Sequence, residues 1–182
     1  MKNFFLFILE ISKIVVIALL IVIPVRYFVF QPFYVKGASM EPNFSDGDYL
    51  IVDEITYRLK APERGEVIVF RYPDDPSQRY IKRIIGLPGE TIEIEGGKIS
   101  IYNQNGEGSV LRELAYLPDS ISTAGNIEET LGENEYFVLG DNRMASADSR
   151  RWGLLPRENI IGRALIRAWP PTAFTGIITP AY

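Results

Sequence analysis

The first 30 residues form an almost unbroken apolar stretch, and this stretch constrains the chain more than any other feature. Written as a helix, residues 4–30 would extend about 40 Å at roughly 1.5 Å per residue, whereas the hydrocarbon core of a bilayer is ~30 Å thick. The uncharged run covers only residues 14–25, so Lys13 and Arg26 would have to reach toward opposite membrane surfaces. The stretch therefore predicts a single transmembrane anchor over residues 1–30.

A cleaved signal peptide and a buried core helix are the two alternatives to an anchor. Cleavage requires small residues at positions −1 and −3, and the one nearby candidate, Ala38, has Lys36 at −3. We therefore favour an uncleaved anchor. Charge does not predict its orientation, because two basic residues, Lys2 and Lys13, precede the uncharged run and two, Arg26 and Lys36, follow it.

Residues 31–182 predict a mostly β domain with antiparallel sheets. Short apolar runs separated by turn residues are typical of strands, and Gly96-Gly97 between two such runs indicates a tight hairpin. The polar, weakly patterned residues 103–134 predict an insertion or small cap subdomain. The predicted strands are 49–52, 66–71, 79–85, 91–95, 98–102, 136–139 and 160–169.

The absence of two residue types restricts the chemistry. The chain has no His and no Cys, which excludes a Ser-His-Asp triad, a thiolate nucleophile, a disulfide framework and His- or Cys-ligated metal sites. Acid–base chemistry at neutral pH must come from Asp, Glu, Lys or Tyr. The net charge of −4 does not resemble the basic surface of a nucleic-acid-binding protein.

The first candidate motif is residues 35–42, Val-Lys-Gly-Ala-Ser-Met-Glu-Pro, which contains Ser39. Taken alone, a serine in such a stretch is usually a turn or capping residue. Ser39 nevertheless follows the predicted anchor closely, so it would lie near a membrane surface.

The second candidate motif is residues 78–90, which contain Lys82 in a predicted strand. A single lysine in a strand is usually solvated or at an edge. Isoleucines occupy both faces of this strand, however, so either Lys82 or its neighbour Arg83 must lie against apolar side chains.

The third candidate motif is residues 140–151, where Asp141, Arg143, Ser146, Asp148 and Arg150 are close in sequence. Such a stretch is ordinarily a polar surface loop. Two acidic and several basic side chains with hydroxyls between them could also pair into a rigid wall.

Together these motifs resemble bacterial type I signal peptidases. The resemblance covers essentially the whole chain and is most specific in Gly-Asp-Asn-Arg-x-x-Ser-x-Asp-Ser-Arg followed by Trp-Gly. It implies a β-rich catalytic domain with an inserted cap, attached to the cytoplasmic membrane with its active site on the outer face. It implies Ser39 as nucleophile, Lys82 as general base and Ser146 as the hydroxyl that orients the lysine. Four residues would brace the site: Asp141, Arg143, Asp148 and Arg150.

The implied partners are preproteins that carry signal peptides, together with membrane lipid; no cofactor, metal or nucleic acid is expected. Cleavage would follow small residues at −1 and −3. Three positions depart from common family patterns: Gly37 replaces a serine whose hydroxyl can help form the oxyanion hole, Asn43-Phe44 replaces Thr-Leu, and Met144 replaces an acidic residue. The oxyanion region is therefore expected at Gly37 and Ser39, with the full set of donors open.

The chemistry requires Lys82 to be neutral. An unperturbed lysine, with a pKa of ~10.4, is neutral in only about one molecule in 2,500 at pH 7. Burial can lower a lysine pKa by ~3–5 units, so an apolar pocket would be sufficient without a third catalytic residue.

Three other functions compete with this interpretation: a soluble self-cleaving repressor peptidase, an inactive anchored β module and a metal hydrolase. The apolar stretch argues against the first, and the intact Ser39 and Lys82 argue against the second. The third would need the carboxylates of residues 46–54, which more readily form a solvated turn.

Overall fold

The computed structural model describes residues 2–28 and 30–180. Its first element is helix α1 (Lys2–Phe28), which covers most of the predicted anchor; Met1 and Val29 lie outside the described residues. The apolar side chains described along α1 are exposed, with Phe4 and Leu20 at 69% each. Within the ranges 2–28 and 30–180, no helix combines the length and apolarity needed to cross a membrane.

The rest of the described chain contains twelve strands, two short α-helices and two 3₁₀ helices, Arg157–Asn159 and Pro171–Ala173. The α-helices are α2 (Thr56–Leu59) and α3 (Ser149–Trp152). The strands are β1 (Phe30–Tyr34), β2 (Tyr49–Asp53), β3 (Val67–Tyr72), β4 (Asp75–Gly86), β5 (Thr91–Glu95), β6 (Lys98–Tyr102), β7 (Gly108–Val110), β8 (Ile127–Thr130), β9 (Glu135–Leu139), β10 (Leu155–Pro156), β11 (Ile160–Trp169) and β12 (Thr175–Gly176).

The strands form two sheets. The larger has eight strands in the order β1-β2-β11-β3-β4-β9-β10, with β12 paired to β11, and the smaller has the order β7-β6-β5-β8. Every pair is antiparallel. The chain enters the smaller sheet after β4 and returns to the larger one through β9, so β4 and β9 join the two sheets.

The predicted antiparallel β architecture is confirmed, and so is the hairpin, since β5 and β6 pair from Glu95 and Lys98 outward around the two glycines. The predicted strand at 79–85 is longer, because β4 starts at Asp75 in the exposed hairpin with β3. The predicted insertion, 103–134, contains β7 and β8. Their sheet is completed by β5 and β6, which precede residue 103 and supply its buried isoleucines.

The core lies on both faces of the larger sheet. One cluster includes Val52, Val69 and Ile81, and a second, on the opposite face, includes Ile68 and Phe70. A third cluster lies under the smaller sheet. Strand β4 is held by β3 along its buried half and by β9 from Arg83 onward, which makes it a rigid support for the side chains of Lys82 and Arg83.

Candidate active site

Ser39 lies in the loop between β1 and β2, and several contacts hold this loop against residues 141–142. The Ser39 carbonyl accepts a hydrogen bond from the Asn142 backbone N–H at 3.1 Å. The Asn142 side chain donates to the Ala38 carbonyl at 3.0 Å. Met40, fully buried, packs into the core directly after the serine. The loop is therefore fixed on both sides of the Ser39 hydroxyl.

Lys82 lies in the buried half of β4, and its side chain points at Ser39. The distance from Lys82 Nζ to Ser39 Oγ is 2.8 Å, and Nζ also donates to the Ile81 carbonyl at 2.8 Å. Lys82 is only 3% exposed. The two residues are 43 positions apart in sequence, and the packing of the Ser39 loop against β4 brings them together.

Burial lowers the pKa of the Lys82 amine to about 8, against the opposing charges of Asp148 and Asp141. Removing the ammonium group from water penalises its charged form, which is the largest cause of the shift. At a pKa of about 8, about one amine in ten is neutral at pH 7. A neutral amine at 2.8 Å can accept the hydroxyl proton of Ser39.

Asp148 and Arg150 form a two-point ion pair behind the site. Arg150 Nε and Nη2 donate to the two Asp148 carboxylate oxygens at 2.8 and 2.9 Å, and Asp148 is fully buried. Asp148 also accepts from the Gly140 backbone N–H, and Arg150 donates to the Arg143 carbonyl. This pair therefore fixes the loop that follows β9.

Asp141 forms a second two-point pair, and its partner is Arg83. Arg83 Nε and Nη2 donate to Asp141 at 2.9 and 2.7 Å, and both side chains are buried. Arg143 instead donates to Glu113 through both terminal nitrogens and to the Gly140 carbonyl. Arg143 thus ties the loop after β9 to residues that precede β8.

Ser146 lies close to Gly140 and to the Ser39 loop. Its Oγ is buried and has no hydrogen-bond partner among the described residues. A Cβ added at Gly140 would lie 2.2 Å from this Oγ and 2.4 Å from the Ser39 carbonyl. Position 140 must therefore be glycine for Ser146 and the Ser39 loop to approach each other. The predicted role of Ser146 in orienting Lys82 stays a prediction.

The predicted oxyanion region contains one occupied and one available amide. Gly37, with φ +87°, donates its N–H to the Asp46 carboxylate at 2.6 Å. The Ser39 N–H has no acceptor among the described residues. The Ser39 amide can therefore donate to a developing oxyanion, whereas the Gly37 amide is already bonded to Asp46.

A cavity of about 300 Å³ opens beside the Ser39–Lys82 pair. Its walls combine backbone of the Ser39 loop and β4 with small side chains from the loop after β9. The lining residues are Phe33, Tyr34, Lys36, Gly37, Ala38, Ser39, Arg79, Tyr80, Ile81, Lys82, Ala145 and Ala147.

Of the carboxylates considered as metal ligands, Asp46, Asp48 and Asp53 accept hydrogen bonds from the protein itself. Asp53 accepts from the Thr56 N–H and hydroxyl, and it pairs with Arg163. Asp48 accepts from the Ser45 N–H. Within residues 2–28 and 30–180, no three His, Cys, Asp or Glu side chains lie close enough to hold a metal ion.

Sequence analysis missed three residues that build the site: Arg83, Glu113 and Asn142. Arg83 was recognised only as a neighbour of Lys82, although adjacent bases in an isoleucine-rich strand could have indicated a buried partner for each. Asn142 belonged to the third motif without an assigned contact. Nothing in the sequence around Glu113 indicates its pairing with Arg143.

Comparisons with known proteins agree on one family. The family described as "Signal peptidase, peptidase S26" matches residues 8–169. The probable signal peptidase I-2 of Synechocystis is 38% identical over 89% of this chain and 73% of its own length. Signal peptidase I of Pseudomonas fluorescens is 32% identical over 84% and 70%. A solved signal peptidase I from Enterococcus faecalis is 33% identical over 57% of this chain and 97% of its own, with a TM-score of 0.46.

Proposed function

The chain belongs to the signal peptidase family, peptidase S26, and removes signal peptides as a serine endopeptidase; from that premise, we propose that Ser39 is its nucleophile and Lys82 its general base. The observation that carries this proposal is the 2.8 Å distance between the Ser39 hydroxyl and a buried amine whose pKa is lowered to about 8. The described residues contain no closer candidate for a base, and the chain has no histidine.

In the proposed mechanism, the neutral Lys82 amine accepts the Ser39 proton while Oγ attacks the scissile carbonyl carbon. The Ser39 N–H donates to the oxyanion of the tetrahedral intermediate. The protonated amine then gives its proton to the leaving nitrogen, and an acyl-enzyme remains. Lys82 next takes a proton from water, the resulting hydroxide attacks the ester, and the return of the proton to Oγ restores the hydroxyl.

Supporting roles follow from the contacts behind the pair. We propose that Asp148 with Arg150, and Asp141 with Arg83, brace the wall on which Lys82 and the Ser39 loop rest. Arg143 would fix the same loop through Glu113. The unpartnered Ser146 hydroxyl is available to a lysine that swings away from Ile81 during the proton transfers.

We propose that substrates carry small residues at −1 and −3. An extended peptide alongside β4 presents alternate side chains to one surface, so positions −1 and −3 would face the cavity and −2 would not. Ala145 and Ala147 line that cavity. Its volume of about 300 Å³ is shared between two side-chain positions and the peptide backbone, which favours alanine over larger residues.

The proposed location is the cytoplasmic membrane, with residues 1–30 as a single-pass anchor and residues 31–182 on the outer face. The exposed apolar side chains along α1 support this proposal. Strand β1 begins at Phe30, two positions after α1 ends, and the nine residues from Phe30 to Ser39 can span no more than about 30 Å. We further propose that residues 103–134 belong to a cap subdomain.

The deciding experiment is cleavage of a preprotein whose signal peptide ends in Ala-x-Ala by the full-length chain in detergent. We expect cleavage after the second alanine by the wild type and none by Ser39→Ala. Leucine substitutions at −1 and −3, but not at −2, should block cleavage. Equal tolerance at all three positions would contradict the proposed substrate class.

A further inference from the structure

Three arginines, Arg58, Arg71 and Arg79, gather at one end of the larger sheet, where β3 and β4 begin their exposed hairpin. Arg71 and Arg79 face each other directly in the β3–β4 register, so their side chains share one surface. Arg58 belongs to α2, which begins three residues after β2 ends. All three side chains are exposed. Like charges placed opposite each other in a sheet repel, so this arrangement is unfavourable in the absence of an anion.

Among the described residues, Glu54 supplies an opposing charge to all three arginines. The Glu54 carboxylate interacts electrostatically with Arg58, Arg79 and Arg71, and one of its oxygens is buried without a hydrogen-bond partner. No hydrogen bond or ion pair to a carboxylate involves the three guanidinium groups within the described ranges. A net excess of positive charge therefore surrounds a single carboxylate.

The arginine cluster lies near the junction between α1 and the larger sheet. Phe30, the first residue after the α1 junction, pairs with Asp53, the neighbour of Glu54. The arginine cluster thus lies at the end of the sheet where the chain leaves α1. Leu59, beside Arg58, is 84% exposed, which places an apolar side chain next to the charges.

From these observations we propose that Arg58, Arg71 and Arg79 form a binding site for the phosphate of an anionic membrane lipid, a proposal that rests on the proposed anchoring of the chain by residues 1–30. Guanidinium groups match phosphate oxygens in two-point hydrogen bonds, and basic residues next to a membrane helix attract anionic lipids. Leu59 would contact the acyl region beside the headgroup.

The shared chemistry is a phosphate group, and three features favour lipid over free phosphate: the adjacent helix junction, the exposed Leu59 and the exposure of all three arginines. Because Arg79 also lines the cavity beside Ser39, a bound headgroup would lie at the end of the substrate cleft. The upstream part of a signal peptide would approach from that side.

The test is native mass spectrometry of the full-length chain in detergent with equal amounts of phosphatidylglycerol and phosphatidylcholine. The wild type should retain phosphatidylglycerol preferentially, and Arg58→Gln with Arg71→Gln should lower that retention by on the order of tenfold. The matched control, Arg112→Gln with Arg151→Gln, removes the same charge from other exposed sites and should behave as wild type.

Two further arms separate the sources of phosphate and the proposed functions. Inorganic phosphate at millimolar concentration should not displace the lipid, and displacement would overturn the lipid assignment. Ser39→Ala should retain phosphatidylglycerol as the wild type does, so lipid binding is scored independently of cleavage. Two other outcomes would overturn the lipid-binding proposal. One is that the wild type retains both lipids equally, and the other is that the arginine variant loses affinity for the preprotein but still retains the lipid.

Discussion

Lys82 and Arg83 are neighbours in β4, point to opposite faces of the sheet and are both 3% exposed, yet the protein treats their charges in opposite ways. Arg83 has the Asp141 carboxylate at two hydrogen-bond distances. The Lys82 amine is instead hydrogen-bonded to the Ser39 hydroxyl and the Ile81 carbonyl. The comparison shows that burial alone does not decide the charge of a base; a directly paired carboxylate stabilises the cation, and its absence favours the neutral amine.

The two faces also depend on each other. Asp141 and Asp148 raise the Lys82 pKa through their charges and so oppose the effect of burial. Each carboxylate is bound by its own arginine, Arg83 or Arg150, which offsets its charge at Lys82. The arginine pairs therefore stabilise the wall and also allow the lysine beside it to be deprotonated near neutral pH.

The largest expected effect comes from replacing Lys82, which has no carboxylate partner, or Ser39, to which Lys82 is hydrogen-bonded. Lys82→Met and Ser39→Ala should each lower kcat for preprotein cleavage by about 10⁴-fold or more, and the double variant should be no worse, because the two residues act as one unit. Lys82→Arg should be equally inactive, since arginine stays protonated. Turnover in detergent measures all four variants, and substantial activity in either lysine variant would remove Lys82 as the base.

Breaking the ion pair between Arg83 and Asp141 should lower the free energy of unfolding. Arg83→Met leaves Asp141 buried without its ionic partner, a change that costs about 3–5 kcal/mol of unfolding free energy. The exposed pair of Glu63 with Lys60 provides the control, and Glu63→Gln, which leaves the contact of Lys60 with the buried Glu66 in place, should change stability by less than about 1 kcal/mol. Thermal unfolding in detergent compares the two.

Arg83→Met carries a second expectation. The freed Asp141 charge should raise the Lys82 pKa, so the activity that remains should need a higher pH. A variant with wild-type melting temperature and an unchanged pH–activity profile would show that Arg83 neither braces the wall nor shields the lysine.

Much of this fold could be predicted because its longer strands and their turns have recognisable local sequence patterns. Alternating apolar residues and the Gly-Gly turn predicted β5, β6 and β11. The motifs around Ser39 and Lys82 predicted the pair itself. Five strands were not predicted: β1, β7, β8, β10 and β12. Strand β1 directly follows the apolar N-terminal stretch, and the other four are short, carry little apolar pattern and depend on pairing with their neighbours.

The pairings of the buried charges could not be predicted for a similar reason. Arg83 reaches Asp141 across 58 positions, and Arg143 reaches Glu113 across 30. Several arginines and carboxylates are present in these motifs, and sequence does not say which guanidinium meets which carboxylate. Only the packing of β4 beside the loop after β9 decides it.

A third prediction is that replacing Lys82 raises the stability of the fold, whereas replacing Arg83 lowers it. Lys82→Met should stabilise the protein at pH 7 by about 1–3 kcal/mol, because it replaces a buried ammonium with an apolar group. Lys82 has a folded-state pKa of about 8 against an ordinary value of 10.5, so the unfolded chain binds the proton more tightly. Wild-type stability should therefore rise with pH between about 8 and 10.5 through this group.

The advantage of Lys82→Met over the wild type should shrink over that same pH window. Melting temperatures of the two proteins measured from pH 7 to 10.5 test this. A Lys82→Met variant less stable than wild type at pH 7 would mean that the hydrogen bonds of the amine outweigh the cost of its burial.

The smallest expected effect concerns the loop that holds Ser39 beside Lys82. Asp46 is exposed, and its carboxylate accepts the Gly37 N–H at 2.6 Å, two residues before the nucleophile. Asp46→Ala removes this acceptor and should loosen the Gly37–Ser39 turn. Because a single exposed hydrogen bond contributes about 0.5–1.5 kcal/mol, kcat should fall by about two- to tenfold with little change in KM. Asp46→Asn retains a side-chain oxygen at the same position and should stay close to wild type. A higher kcat in Asp46→Ala would contradict this role, because it would mean that the released Gly37 amide acts as a second oxyanion donor that Asp46 normally occupies.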